Sequence, residues 1–151
     1  MLDPVSPLKK IEISPVSFVK RTSYDEDVKD RSLVSKIVFR KDLAKALDGV
    51  EEYSHVFVIF WMHQILDTEK VKVHPGGIGI FATRAPTRPN PIGLTLVELV
   101  KREKSALLVK GLDASDGTPV LDIKPYTDSE RRRFIIVTDF RVPKWLEKIN
   151  K

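Results

Sequence analysis

His55-Val56-Phe57-Val58-Ile59-Phe60-Trp61-Met62 contains the longest apolar run of the chain, Val56 to Met62. A run this short cannot span a bilayer, which takes about 20 residues in a helix. Its β-branched and aromatic content predicts a buried central strand instead. Working outward, the pattern predicts further short strands. Leu33 to Phe39 alternates, with Val34, Lys36 and Val38 on one face and Ser35, Ile37 and Phe39 on the other. Ile11 to Arg21 reads as a first strand, confined by Pro15 to an edge or a bulge. Ile78 to Thr83, Leu94 to Val100, Ala106 to Leu112, Val120 to Ile123 and Phe134 to Phe140 complete the set. Only Lys41 to Leu47 changes to helical spacing, through Leu43, Ala44 and Leu47, with Gly49 as terminator. Trp145 to Ile149 reads as a closing helical turn after Pro143. Strands that follow one another without intervening helices argue for a mainly β fold whose sheet closes or nearly closes on itself, and against a doubly wound sheet.

The chain has 151 residues, which fits one domain of about the usual size. Residues 1–10 are expected to form a loose arm, residues 11–151 the single barrel domain, and Tyr24 to Asp30 a mobile loop. Met1 to Lys10 holds no apolar run of signal-peptide length, so a cytoplasmic location is expected. The chain contains no cysteine, which excludes disulfides, cysteine-ligated zinc, iron–sulfur clusters and thiol nucleophiles. A formal net charge of +5 favours polyanionic partners, chiefly nucleic acid or acidic lipid.

Two segments spend strand-forming space on other chemistry. In Phe81-Ala82-Thr83-Arg84-Ala85-Pro86-Thr87-Arg88-Pro89-Asn90-Pro91-Ile92-Gly93-Leu94, three prolines fix the backbone and remove amide donors. Such a loop either presents Arg84, Arg88 and Asn90 as a prearranged polar surface, or is a stiffened turn whose arginines cap local carbonyls. In Gly111 to Tyr126, Asp116-Gly117 signals a turn and Pro119 stiffens its exit. Period-two geometry then puts Val120, Asp122, Lys124 and Tyr126 on one face, with Leu121 and Ile123 on the other. An acid, an amine and a phenol in a row can orient a substrate and move a proton. The same row also reads as an ion pair beside an anchoring tyrosine.

His55, His63 and His74 are scattered, without a His-Glu-x-x-His pair, so no metal site is expected. Gly76-Gly77-Ile78-Gly79 leads into a strand and lacks a third glycine, so the dinucleotide fingerprint fails. No serine sits in a Gly-x-Ser-x-Gly elbow.

Gly79-Ile80-Phe81-Ala82-Thr83-Arg84, Arg88-Pro89-Asn90-Pro91-Ile92-Gly93-Leu94 and Asp116 through Tyr126 closely resemble the signature of the TrmO (YaeB-like) tRNA methyltransferases. His55 through Gln64 resembles that family's central strand, and Pro15-Val16-Ser17-Phe18-Val19 its opening strand, with Ser17 where glycine is usual. The resemblance runs over about residues 11–145. It implies a small single-sheet β-barrel, unlike other methyltransferase folds, working as a homodimer. It implies S-adenosylmethionine (SAM) as cofactor and N6 of N6-threonylcarbamoyladenosine, beside the anticodon of threonine tRNA, as the methyl acceptor. By position it implies cofactor contacts from His63, Gln64, Arg84, Leu94, Asp113, Ala114, Ser115 and Asp116, with part of the Thr22–Arg31 loop. Asp122, Lys124 and Tyr126 become the catalytic, substrate-facing set. Arg88, Asn90 and the Arg131-Arg132-Arg133 cluster are candidates for RNA binding. The competing readings are a SAM-dependent methyltransferase of another substrate, a non-catalytic RNA-binding barrel, and a hydrolase of a nucleotide-like ligand.

Overall fold

The computed structural model describes residues 10–21, 30–68, 72–73, 77–128 and 141–147. Six strands close an antiparallel barrel in the order β1-β2-β7-β6-β3-β8. They are β1 (Ser17–Arg21), β2 (Val34–Phe39), β3 (His55–Trp61), β6 (Ile92–Glu103), β7 (Ala106–Lys110) and β8 (Pro119–Pro125). A two-stranded ribbon, β4 (Lys72–Val73) with β5 (Ile78–Gly79), stands outside it. One short helix, α1 (Lys144–Glu147), follows Pro143. The mainly β barrel expected from the sequence is the fold observed. The loose arm at 1–9, most of the Tyr24–Asp30 loop, the Phe134–Phe140 strand and Arg131, Arg132 and Arg133 lie outside the described residues.

Alternation builds the core. Val19, Ile37, Val56, Val58, Phe60, Val97, Leu107, Val109 and Val120 point inward and are almost wholly buried. The outer residues of β3 are half-buried, so the central strand is covered on one face only. Phe60 lies directly over the Gly93 backbone in the β3–β6 pair, where a Cβ would fall 2.2 Å from the ring. A glycine is required there because the aromatic ring occupies the side-chain volume.

Several elements differ from their sequence reading. β1 starts at Ser17, and the segment before it instead joins β8 through the Val16 amide, which donates to the Val120 carbonyl at 2.9 Å. Lys41–Leu47 is a 3₁₀ helix that buries only Leu47, because a short segment with one apolar anchor has no long stripe to pack. Ile78–Thr83 is not one strand: after β5 the chain turns through a 3₁₀ segment at Ile80–Ala82, which buries Ile80 and leaves Phe81 exposed. In β8 the register against β3 shifts, with Ile59 opposite Asp122 and Phe60 opposite Val120. The extra residue, Leu121, makes a β-bulge and reverses the alternation. Val120 therefore sits in the core while Asp122 and Lys124 lie outside, so Val120 does not share their face.

Two seams follow from unequal strand lengths. β7 ends at Lys110, whereas β6 pairs with it only from Glu98 onward. The first half of β6, paired with β3 on one edge, is flanked on the other by the Gly111–Thr118 turn rather than by a strand. β8 pairs with β1 only at Pro119 and Val120, and its second half shares a hollow with the Lys41–Leu47 3₁₀ helix through Asp122, Ile123 and Pro125.

Candidate active site

The Gly111–Thr118 turn closes the first seam. Gly111 and Gly117 bracket it with φ of 94° and 75°, the left-handed region that glycine enters without strain. Leu112 and Ala114 are buried as plugs, so the intervening Asp113 and Ser115 face outward. The Arg21 guanidinium, at the inner end of β1, donates to the Ala114 carbonyl at 3.0 Å and to the Leu112 carbonyl at 3.4 Å. The Arg21 amide donates to Asp116 Oδ1 at 2.8 Å, so Asp116 serves to lock the turn onto β1.

Asp113 is the hinge of the site. The Thr95 hydroxyl donates to its Oδ1 at 2.5 Å, and Arg31 stands 3.8 Å from its Oδ2. Asp30 presents Arg31: the Ser32 hydroxyl and amide both donate to Asp30 Oδ1, at 2.5 and 2.8 Å, and hold that carboxyl below the usual carboxylate range. A cleft of about 400 Å³ opens here between Arg31, Arg84, Asp113, Phe57, Leu94 and Leu96. On the other side of Asp113 lies a smaller hollow of about 140 Å³, with His63, Gln64, Ala114, Ser115 and Met62 in its wall. Ser115 Oγ and Gln64 Oε1 are 3.4 Å apart across it.

The proline-rich loop reaches the cleft through one arginine only. Arg84 donates to the Leu94 carbonyl at 2.9 Å and borders the cleft. Arg88 turns back, one nitrogen donating to the Thr83 and Ala85 carbonyls at 3.2 Å each. It is a strut for its own loop. Asn90 lines a different hollow and does not meet Arg84 or Asp113.

Of the acid-amine-phenol row, Lys124 and Tyr126 adjoin the cleft through Phe57, whereas Asp122 lines a separate hollow with Phe39, Leu43, Leu47 and Ile123. Lys124 Nζ is 3.1 Å from Asp122 Oδ2, and both groups are well exposed. Lys124 pairs across the sheet with Phe57, and the Tyr126 ring packs edge-on against Phe57 with centroids 5.9 Å apart. Phe57 is thus the shared partition between cleft and row. Sequence reasoning did not find Phe57, Thr95, Leu96 or Arg21. The first three look like ordinary strand residues, and Arg21 carries only the weak signal of a charge at an inward position.

A family model, the tRNA-methyltransferase O N-terminal domain, matches residues 20–130. The chain belongs to the TrmO family. A protein of Methanothermobacter thermautotrophicus named "Probable S-adenosyl-L-methionine-binding protein" is 44% identical over 126 residues, 78% of this chain and 90% of that protein. The mouse tRNA (adenine(37)-N6)-methyltransferase is 49% identical over 87 residues, 54% of this chain and 20% of that enzyme. The crystal structure of TrmO from Pseudomonas aeruginosa superposes with a TM-score of 0.71 at 32% identity, covering 91% of this chain and 62% of that one. This TrmO-family chain therefore spans most of the archaeal protein and only part of the longer enzymes. Among its described residues no helix is long and apolar enough to cross a membrane. None of the described His, Asp and Glu side chains cluster to hold a metal ion.

Proposed function

We propose that this chain transfers the methyl group of SAM to N6 of an adenosine beside the anticodon of tRNA, with N6-threonylcarbamoyladenosine in threonine tRNA as its acceptor. The observation that carries the reading is the meeting of Arg31, Arg84 and Asp113 in one cleft whose Phe57 wall backs onto Tyr126 and Lys124. The relatives named for SAM binding and for adenine-37 methylation support it.

The donor set fits SAM. Arg31 and Arg84 suit its carboxylate, in the two-pronged geometry that guanidinium favours. Asp113 and Gln64 suit its amino group or ribose hydroxyls. Phe57, Leu94, Leu96 and Met62 supply apolar walls for the adenine ring. When bound, SAM supplies an electrophilic methyl on a cationic sulfur. The protein's part is mostly alignment, which in a direct displacement is worth several kcal/mol of barrier, on the order of 7–11 at best.

The acceptor nitrogen is conjugated with the purine and the carbamoyl group, so its lone pair is poorly available until its proton leaves. Asp122 or Tyr126 takes that proton, and Lys124, held against Asp122, stabilises the resulting negative charge. SAM held by Arg31, Arg84, Asp113 and Gln64 would supply the methyl group to the deprotonated N6, the products being the neutral N6-methylated nucleoside and S-adenosylhomocysteine, with the proton left on the side chain that took it. Arg88, Arg131, Arg132 and Arg133 are assigned to tRNA phosphates.

The active form is a homodimer working in the cytoplasm. Leu94 and Leu96 lie on the outer face of β6 with 48% and 41% exposure, in the wall of the cleft. A contiguous apolar stripe of this kind on a soluble barrel marks a protein contact. A second copy covering it would complete the cofactor site. The test is methylation in vitro with labelled SAM and threonine tRNA, with and without the threonylcarbamoyl group. Label should enter only the modified tRNA; incorporation into neither would overturn the reading.

A further inference from the structure

Asn90 and Trp61 meet outside the cofactor cleft, at a hollow of about 670 Å³. We propose that this hollow is a nucleobase pocket, which takes one unstacked base of the RNA substrate with Trp61 as its stacking face and Asn90 as the reader of its edge. The proposal rests on the RNA-methylating function above, and assigns that function a second subsite.

Four observations carry it. First, the walls are apolar, built from Ile92, Pro119 and Leu121 around Trp61, whereas Asn90 and Lys10 bring the polar side chains among the described residues. A base needs this mixture: a flat apolar slot, one amide with both donor and acceptor for its edge, and a cation at the mouth for its phosphate. Second, the β8 bulge is what places Leu121 in this wall, beside Pro119, rather than in the barrel core. Third, the backbone that carries Asn90 is held in place within its loop. The Met62 amide donates to the Pro91 carbonyl at 2.7 Å, pinning the residue after Asn90 to the residue after Trp61. The Ile92 amide donates to the Asn90 carbonyl at 2.7 Å, and Arg88 braces the loop from behind. Fourth, the hollow adjoins the donor site. Trp61 ends β3, and His63 follows two residues later in the turn that lines the smaller hollow beside Asp113. The same loop sends Arg84 to the cleft and Asn90 to the hollow. One rigid segment thereby sets the distance between cofactor and base.

The pocket is tested with a synthetic anticodon stem-loop RNA carrying 2-aminopurine in place of the adenosine beside the anticodon, or of its neighbour. Binding to the wild-type protein should change the fluorescence of one of the two probes. Trp61→Ala should abolish that change and weaken RNA binding about tenfold or more, the range of aromatic base stacking. Trp61→Phe should restore most of both, because it keeps the stacking face. Asn90→Ala should weaken RNA binding while the affinity for SAM, read by calorimetry, stays at the wild-type level. An unchanged probe signal and RNA affinity in both Trp61→Ala and Asn90→Ala would overturn the proposal. So would a dimer that dissociates in Trp61→Ala with no change in RNA affinity, since the hollow would then belong to the contact between copies. The readout is independent of turnover: a probe response in a protein that transfers no methyl group upholds the pocket and removes the methylation reading instead.

Discussion

The two faces of the β3–β6 pair have nearly the same hydrophobicity and opposite jobs. Inward, Val56, Val58, Phe60 and Val97 are buried to the last few per cent and hold the barrel together. Outward, Phe57, Trp61, Ile92, Leu94 and Leu96 stay half-covered and border the cleft and the neighbouring hollow. The lesson is that an apolar run on a strand records what the strand touches, and core is only one possibility. Here the inner half of the run serves stability and the outer half serves binding, and the two are separable by mutation.

The largest separation should come from truncating one large side chain on each face. Phe60→Ala should lose about 3–5 kcal/mol of unfolding free energy, the usual cost of an emptied aromatic core site. Leu94→Ala should change it by no more than about 0.5 kcal/mol, as for a partly exposed position, yet impair SAM binding or self-association. Urea melts of both variants check this, and comparable losses would erase the distinction between faces. A finer probe is Gly93→Ala, which drives a methyl into the Phe60 ring and should cost about 1–3 kcal/mol. In a Phe60→Leu background the same change should cost clearly less, because the obstructing ring is gone.

How much of this was legible beforehand differs between the faces. The inner face was readable, since Ser35, Ile37 and Phe39 alternate with Val34, Lys36 and Val38 as the barrel requires. The outer face was not. His55 to Met62 reads as a strand buried on both sides, because periodicity reports polarity and not what covers it. The row Asp122, Lys124 and Tyr126 was legible by spacing, but the Leu121 bulge that removes Val120 from it depends on register with β3, which no local pattern encodes. Family resemblance located Arg84, Leu94, His63, Gln64 and Asp113 through Ser115, and these do gather around two adjoining cavities. Asn90, read as an RNA-binding candidate apart from that set, lines a hollow of its own, and Arg88, read with it, braces its own loop as the stiffened-turn reading allowed. Those distinctions are set by which carbonyl a guanidinium finds within reach.

Two smaller effects sharpen the contrast at polar positions. Thr95→Val keeps the shape of a nearly buried residue and removes its hydroxyl bond to Asp113, so stability should fall by about 1 kcal/mol and SAM affinity with it. Thermal melts and calorimetry measure the pair. Ser35→Ala should be almost neutral or slightly stabilising, because the buried Ser35 hydroxyl has no hydrogen-bond partner to lose. A marked drop in melting temperature there would mean that the inner face depends on polar contacts as the cleft does.

The claim beneath all of these is that the seam between β6 and the Gly111–Thr118 turn holds the methyl donor. Calorimetric titration of SAM into the wild-type protein and into Asp113→Ala tests it most directly. The wild type should bind SAM, and the variant, still folded by circular dichroism, should bind it at least about tenfold more weakly, the loss expected when one charged hydrogen-bonding partner is removed. Equal affinities would place the donor elsewhere on the barrel and contradict the account.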